Sequence, residues 1–166
     1  MLNLPPVQAE IDFDLADEVA MQDFGCLLAG YVSTGLMMTL RGDLGAGKTT
    51  LARGILHGLG HPGSVKSPTY TVVEPYDLSV GRVYHFDLYR LDDPEELEFL
   101  GFRDYLTEAF LCIVEWPERG YGHLDVVDLA IDIKIRRWGR SVVLTAHSIA
   151  GGVIIHRLDA LGGSDG

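Results

Sequence analysis

The stretch GDLGAGKTT at residues 42–50 constrains this chain more than any other part of it. Gly42, four residues, Gly47, Lys48 and Thr49 fit the spacing G-x-x-x-x-G-K-[ST], which a chain of this composition would show by chance about 0.004 times. The spacing follows from what a phosphate group needs. Glycines reach positive φ, so the backbone of Gly42, Asp43, Leu44, Gly45, Ala46 and Gly47 can turn its N–H groups inward and line a nest for the β-phosphate. Lys48 supplies a point charge to the β- and γ-phosphates and Thr49 offers a hydroxyl to Mg²⁺. Thr50 follows in the first turn of a helix whose N-terminus faces the anion. Such a loop needs a strand before it and a helix after it. LMMTL (36–40) is an apolar run opening straight into the loop, and Leu51, Ala52, Ile55, Leu56 and Leu59 recur at helical spacing beyond it. The expected fold is α/β, P-loop NTPase-like, with a mixed parallel and antiparallel sheet flanked by helices.

The remaining segments supply further elements. DLADEVAMQDFGCLLAGYV (14–32) sets Ala16, Ala20, Phe24, Leu27, Leu28 and Tyr31 at helical spacing, with Asp14 placed to cap the start. TYTVVEPY (69–76) and GRVYHFDLYRL (81–91) read as strands joined around DLSVG. DDPEELEFLGFRDYLTEAF (92–110) reads as a helix with Asp93 as N-cap, Pro94 at the first position and an interruption at Gly101. FLCIVE (110–115) is a buried-type strand, and LAIDIKI (129–135) with SVVLTAH (141–147) forms a second hairpin about RRWGR. After Gly151 and Gly152 the periodic signal fades. With 166 residues and 47% hydrophobic content, one domain over 1–166 is expected, with about 1–10 and 160–166 as a flexible lead and tail.

A net charge of −11 argues against a general surface that grips nucleic acid. The local exception is KIRRWGR, which gathers Lys134, Arg136, Arg137 and Arg140; a solvated hairpin tip is the favoured reading over a patch for an acidic partner or RNA. No apolar run approaches the roughly 20 residues of a membrane span. The first residues lack the basic flank and apolar core of a secretory signal, and Cys26 and Cys112 have no metal or redox spacing, so a cytoplasmic setting is expected. Guanine reading through an Asn-Lys-x-Asp loop is excluded, since the only Asn is Asn3, and the Leu-Ser-Gly-Gly-Gln signature of ABC ATPases is absent.

A phosphate loop also requires acids that hold Mg²⁺ or orient the attacking group, usually at the ends of buried strands. Glu115, closing FLCIVE, and Asp87, closing RVYHFD, are the candidates for catalysis and metal binding. Thr69 in SPTY could sense a γ-phosphate or Mg²⁺, and Trp116 could stack near the nucleotide or fill the core edge. His85 reads as a packed strand residue rather than a base.

Taken together, GDLGAGKTTLARG (42–54), VKSPTY (65–70), YHFDLYRL (84–91) and VEWPERG (114–120) resemble, in order and spacing, the TsaE ATPases of bacterial tRNA threonylcarbamoyladenosine (t6A) synthesis. The likeness spans residues 42–120; the region beyond about residue 148 adds nothing to it. The resemblance implies binding of ATP and Mg²⁺ and slow hydrolysis by the chain alone. It also implies partnership with a TsaB–TsaD pair that transfers threonylcarbamoyl to an adenosine of tRNAs reading ANN codons. By position, Lys48 and Thr49 would hold phosphates and Mg²⁺, Asp87 and Glu115 would stand near metal and attacking water, and Thr69 and Trp116 near the γ-phosphate and the nucleotide. TsaB-like and TsaD-like partners would carry the tRNA, which suits an acidic surface. Two other uses of the loop stay open: a kinase for a small metabolite, and an ATP-gated interaction module.

Overall fold

The structure is a computed structural model that describes residues 9–124 and 126–162. Its strands are β1 (Glu10–Leu15), β2 (Leu36–Arg41), β3 (Val73–Leu78), β4 (Gly81–Asp87), β5 (Leu111–Glu115), β6 (Leu129–Ile135) and β7 (Arg140–Ala146). Its helices are α1 (Glu18–Ala29), α2 (Lys48–Gly58), α3 (Glu96–Phe99), α4 (Phe102–Glu108) and α5 (Ile149–Gly162). One sheet runs in the order β1-β7-β6-β2-β5-β4-β3. The middle of it, β6-β2-β5-β4, is parallel, while β1, β7 and β3 pair antiparallel with their neighbours. This is the mixed sheet of a P-loop NTPase-like fold.

Strands covered on both faces carry continuous apolar runs, and β2 is buried from Leu36 to Leu40. Side chains alternate between the two faces. Met38, Leu40, Val83, Ile113, Ile131 and Leu144 face the core shared with α1, α2 and α5. Met37, Phe86, Cys112 and Val114 face a second core, closed by Leu97 and Phe102 of α3 and α4. The sheet therefore sits between two helical layers, and β2 delivers the phosphate loop near its centre.

Close approach of α1 and α2 depends on small residues. A Cβ on Gly54 would lie 2.2 Å from the carbonyl oxygen of Gln22, and one on Gly25 2.6 Å from that of Leu51. Gly54→Ala would gain about 1 kcal/mol of helix propensity. The backbone clash is larger and forces the helices apart, so a net loss of about 1–3 kcal/mol is expected. A thermal melt should show the midpoint falling by roughly 2–4 °C per kcal/mol; an unchanged midpoint would mean the seam is slack.

Several expectations need correction. The first helix starts at Glu18, capped by Asp17, whose carboxylate accepts from the Ala20 N–H at 2.8 Å. Asp14 does not cap it, because β1 claims Asp14 for the ladder opposite Ser141 of β7. The expected flexible lead includes Glu10 of this strand, and Ala9 accepts from the Ala146 N–H; residues 1–8 lie outside the described residues. TYTVVEPY is a strand only from Val73, because 69–72 form a turn. β4 stops at Asp87, with a turn closing from Leu91 N–H to Leu88 O. The 92–110 helix is broken at Gly101 (φ 73) into α3 and α4, as expected, and Asp93 caps the preceding turn by accepting from the Glu95 N–H. Past Gly151 there is no fading but a helix, α5. It takes in 160–162 of the expected tail, and 163–166 lie outside the described residues.

Candidate functional site

After Arg41 the chain turns through 42–47 and re-enters helix at Lys48. Three positions require glycine: Gly45 (φ 81) and Gly47 (φ 113) lie in the region that Cβ disfavours, and a Cβ on Gly42 would lie 2.7 Å from the Ile133 carbonyl oxygen. Gly47 caps α2 with no side chain, which leaves the first-turn N–H groups open to an anion. Arg140, the first residue of β7 just past the β6–β7 turn, braces the loop. Its Nε donates to Ala46 O at 3.0 Å and its Nη2 to Gly45 O at 3.3 Å. The basic cluster thus divides: Lys134, Arg136, Arg137 and Trp138 are exposed at the tip, whereas Arg140 turns inward.

Beside the loop lies a cavity of about 340 Å³. Its walls bring together Leu44, Gly45, Gly47, Lys48, Thr49 and Thr50 with Thr69, Asp87, Glu115 and Trp116 from three later segments. Gly42, Asp43 and Ala46 do not line it. Gly42 and Asp43 act through their carbonyls, which accept from Lys48 Nζ at 2.5 and 3.0 Å, and Ala46 is buried. The ammonium also lies 4.0 Å from the Trp116 ring centre. Burial holds the Lys48 pKa below its ordinary value, opposed by the nearby charges of Glu115, Glu118, Asp87 and Asp43.

The two strand-end acids stand side by side, since Asp87 of β4 and Glu115 of β5 are register partners. Glu115 accepts from Thr49 Oγ1 at 3.0 and 3.2 Å and contacts His85 Nε2 at 2.6 Å. Asp87 Oδ2 accepts from Ser67 Oγ at 2.5 Å and Thr69 Oγ1 at 3.1 Å, while Oδ1 accepts from the Tyr89 N–H at 3.0 Å. These bonds tie the 67–69 loop to the strand end and explain the turn there. Val72 completes it at φ 69, a conformation strained for a β-branched residue, with its carbonyl accepting from the Asp87 N–H. Trp116 is also left-handed (φ 56) and packs against Tyr89, ring centres 4.9 Å apart. It fills the lip of the cavity beside the phosphate loop.

Thr49, Asp87 and Glu115 present hard oxygen donors to one cavity, a set suited to Mg²⁺, which takes one or two carboxylates and completes its shell with phosphates and water. Among the described residues, no group of three or more His, Cys, Asp or Glu side chains could hold a metal ion. Sequence reasoning missed Ser67 and Arg140. Ser67 had a signal in the hydroxyl two residues before Thr69; Arg140 had none, because its role depends on which loop lies beneath it.

The protein-family model for threonylcarbamoyl adenosine biosynthesis protein TsaE matches residues 15–142. A tRNA threonylcarbamoyladenosine biosynthesis protein TsaE from Haemophilus influenzae is 48% identical over 146 residues, 85% of this chain and 92% of that protein. A TsaE protein from Bacillus subtilis is 44% identical over 90 residues, covering 54% of this chain and 56% of its own length. Among solved structures, Bacillus subtilis YdiB superposes with a TM-score of 0.76 at 26% identity, over 94% of this chain and 98% of that one.

Proposed function

The chain belongs to the TsaE family, and from that footing we propose that it is a Mg²⁺-dependent ATPase that supports t6A modification of tRNA together with a TsaB–TsaD pair. The observation that carries this reading is the convergence of Lys48, Thr49, Asp87 and Glu115 on one cavity beside the phosphate loop. Inward N–H groups of the loop bind the β-phosphate, and Lys48 leaves the carbonyls of Gly42 and Asp43 to meet the β- and γ-phosphates. Thr49 and Glu115 hold the metal edge of the site, with Asp87 available on the same side. Mg²⁺ held by Thr49 and Glu115 would supply positive charge against the phosphate oxygens. Asp87, fixed by Ser67 and Thr69, orients the attacking water for in-line displacement. With a chain charge of −11, partners rather than this surface would hold the tRNA. Among the described residues no helix is long and apolar enough to cross a membrane.

The test is ATP turnover by the purified chain, alone and with a TsaB–TsaD pair from the same source. A low rate that climbs at least about tenfold with the pair is expected, because docking completes a site that is open on one side. A rate indifferent to the pair would sink the partnership. A rate that instead rises with a small acceptor, giving a phosphorylated product, would make the chain a kinase.

A further inference from the structure

We infer that His85 is a positioning residue whose ring holds the Glu115 carboxylate in place for the phosphate site, an assignment that rests on the ATPase reading above. His85 lies on β4 opposite Ile113, one row behind the Asp87–Glu115 pair. On the β5 side its neighbours are apolar, Val83, Ile113 and Leu111 sharing the same face of the sheet, while on the β3 side its register partner is the exposed Glu74. The imidazole is 0% exposed, and Nε2 stands 2.6 Å from Glu115 Oε2. A carboxylate only accepts, so the proton between them belongs to Nε2.

The other ring nitrogen, Nδ1, is buried and has no hydrogen-bond partner. A buried polar atom left unpaired destabilises the fold. An aliphatic side chain would suit this row better, so packing alone does not account for a histidine here. What the ring provides is a second donor to Glu115. Thr49 alone would leave the carboxylate free to turn toward Lys48, whose own charge is favoured by Glu115. With His85 on Oε2 and Thr49 within reach of both oxygens, at 3.0 and 3.2 Å, the carboxylate is held from two sides at the wall of the cavity.

Two variants test this. His85→Leu fills the row without a donor, and His85→Gln can restore an N–H near the position of Nε2. For His85→Leu the expected result is a thermal midpoint equal to or above that of the unmodified chain, with ATP turnover lowered about 10- to 100-fold. The Mg²⁺ concentration giving half-maximal turnover should rise, while ATP affinity in EDTA stays unchanged. His85→Gln should recover most of the turnover. Equal losses in both variants with a lowered midpoint, or normal turnover in His85→Leu, would overturn the inference. A crystal structure of His85→Leu without nucleotide reads the geometry independently of activity. Glu115 should leave Thr49 and turn to Lys48; a carboxylate still bonded to Thr49 also overturns the assignment. If the unmodified chain hydrolyses no ATP even with the TsaB–TsaD pair, the ATPase reading fails, and the crystal structure still decides the role of His85.

Discussion

Lys48→Ala is expected to lower ATP turnover by about 100-fold or more, because it removes the one cation built into the phosphate loop. Lys48 is 5% exposed, and its ammonium rests on two neutral carbonyls and the Trp116 ring. Burial lowers its pKa and the surrounding acids raise it, so the site holds a costly charge without an anionic hydrogen-bond partner of its own. Phosphates would supply that partner. Losing two carbonyl bonds while relieving a buried charge nearly cancels, and the thermal midpoint should move by no more than about 3 °C. Lys48→Met keeps the packing against Trp116 and should fail equally, which separates charge from volume. Steady-state turnover and calorimetric ATP binding are the measurements. A normal rate with normal affinity in either variant would contradict the phosphate-loop reading itself.

Asp87 carries the second large effect, and the structure changes how it must be tested. Asp87→Ala leaves the hydroxyls of Ser67 and Thr69 and the N–H of Tyr89 without their acceptor. An unpaired buried donor costs about 1–3 kcal/mol, so a loss of activity in that variant mixes chemistry with a loosened 67–72 turn. Asp87→Asn keeps the shape and one carbonyl acceptor while removing the charge. It should lower turnover by about 100-fold or more while ATP binding in EDTA persists. Far-ultraviolet circular dichroism and the thermal midpoint should stay near those of the unmodified chain. Turnover unchanged in both variants would remove Asp87 from the mechanism.

Much of the site was legible because its motifs are local. The phosphate loop is written within one turn, and φ 113 at Gly47 is the conformation that its spacing implies. Strand ends were legible too: the buried runs FLCIVE and RVYHFD carry Glu115 and Asp87 to one edge of the sheet. Elsewhere local signals misled. Asp14 and Asp17 are both competent caps, and only the pairing of β1 with β7 decides between them. Gly151 and Gly152 weaken helical periodicity, yet a Cβ on Gly151 would lie 2.0 Å from Asp128 O. That glycine marks a helix pressed against the chain entering β6, not the end of order.

By itself, then, the sequence determined that a loop with phosphate-loop spacing would follow a buried strand and open a helix, and that Asp87 and Glu115 would each end a strand. Only the tertiary structure decided that Ser67 holds Asp87, that Arg140 braces Ala46, and that His85 and Thr49 hold Glu115 between them. These contacts join residues 20 to 94 positions apart. Backbone propensities and side-chain periodicity act over a few residues, whereas contacts at that range exist only once strand order and register are fixed.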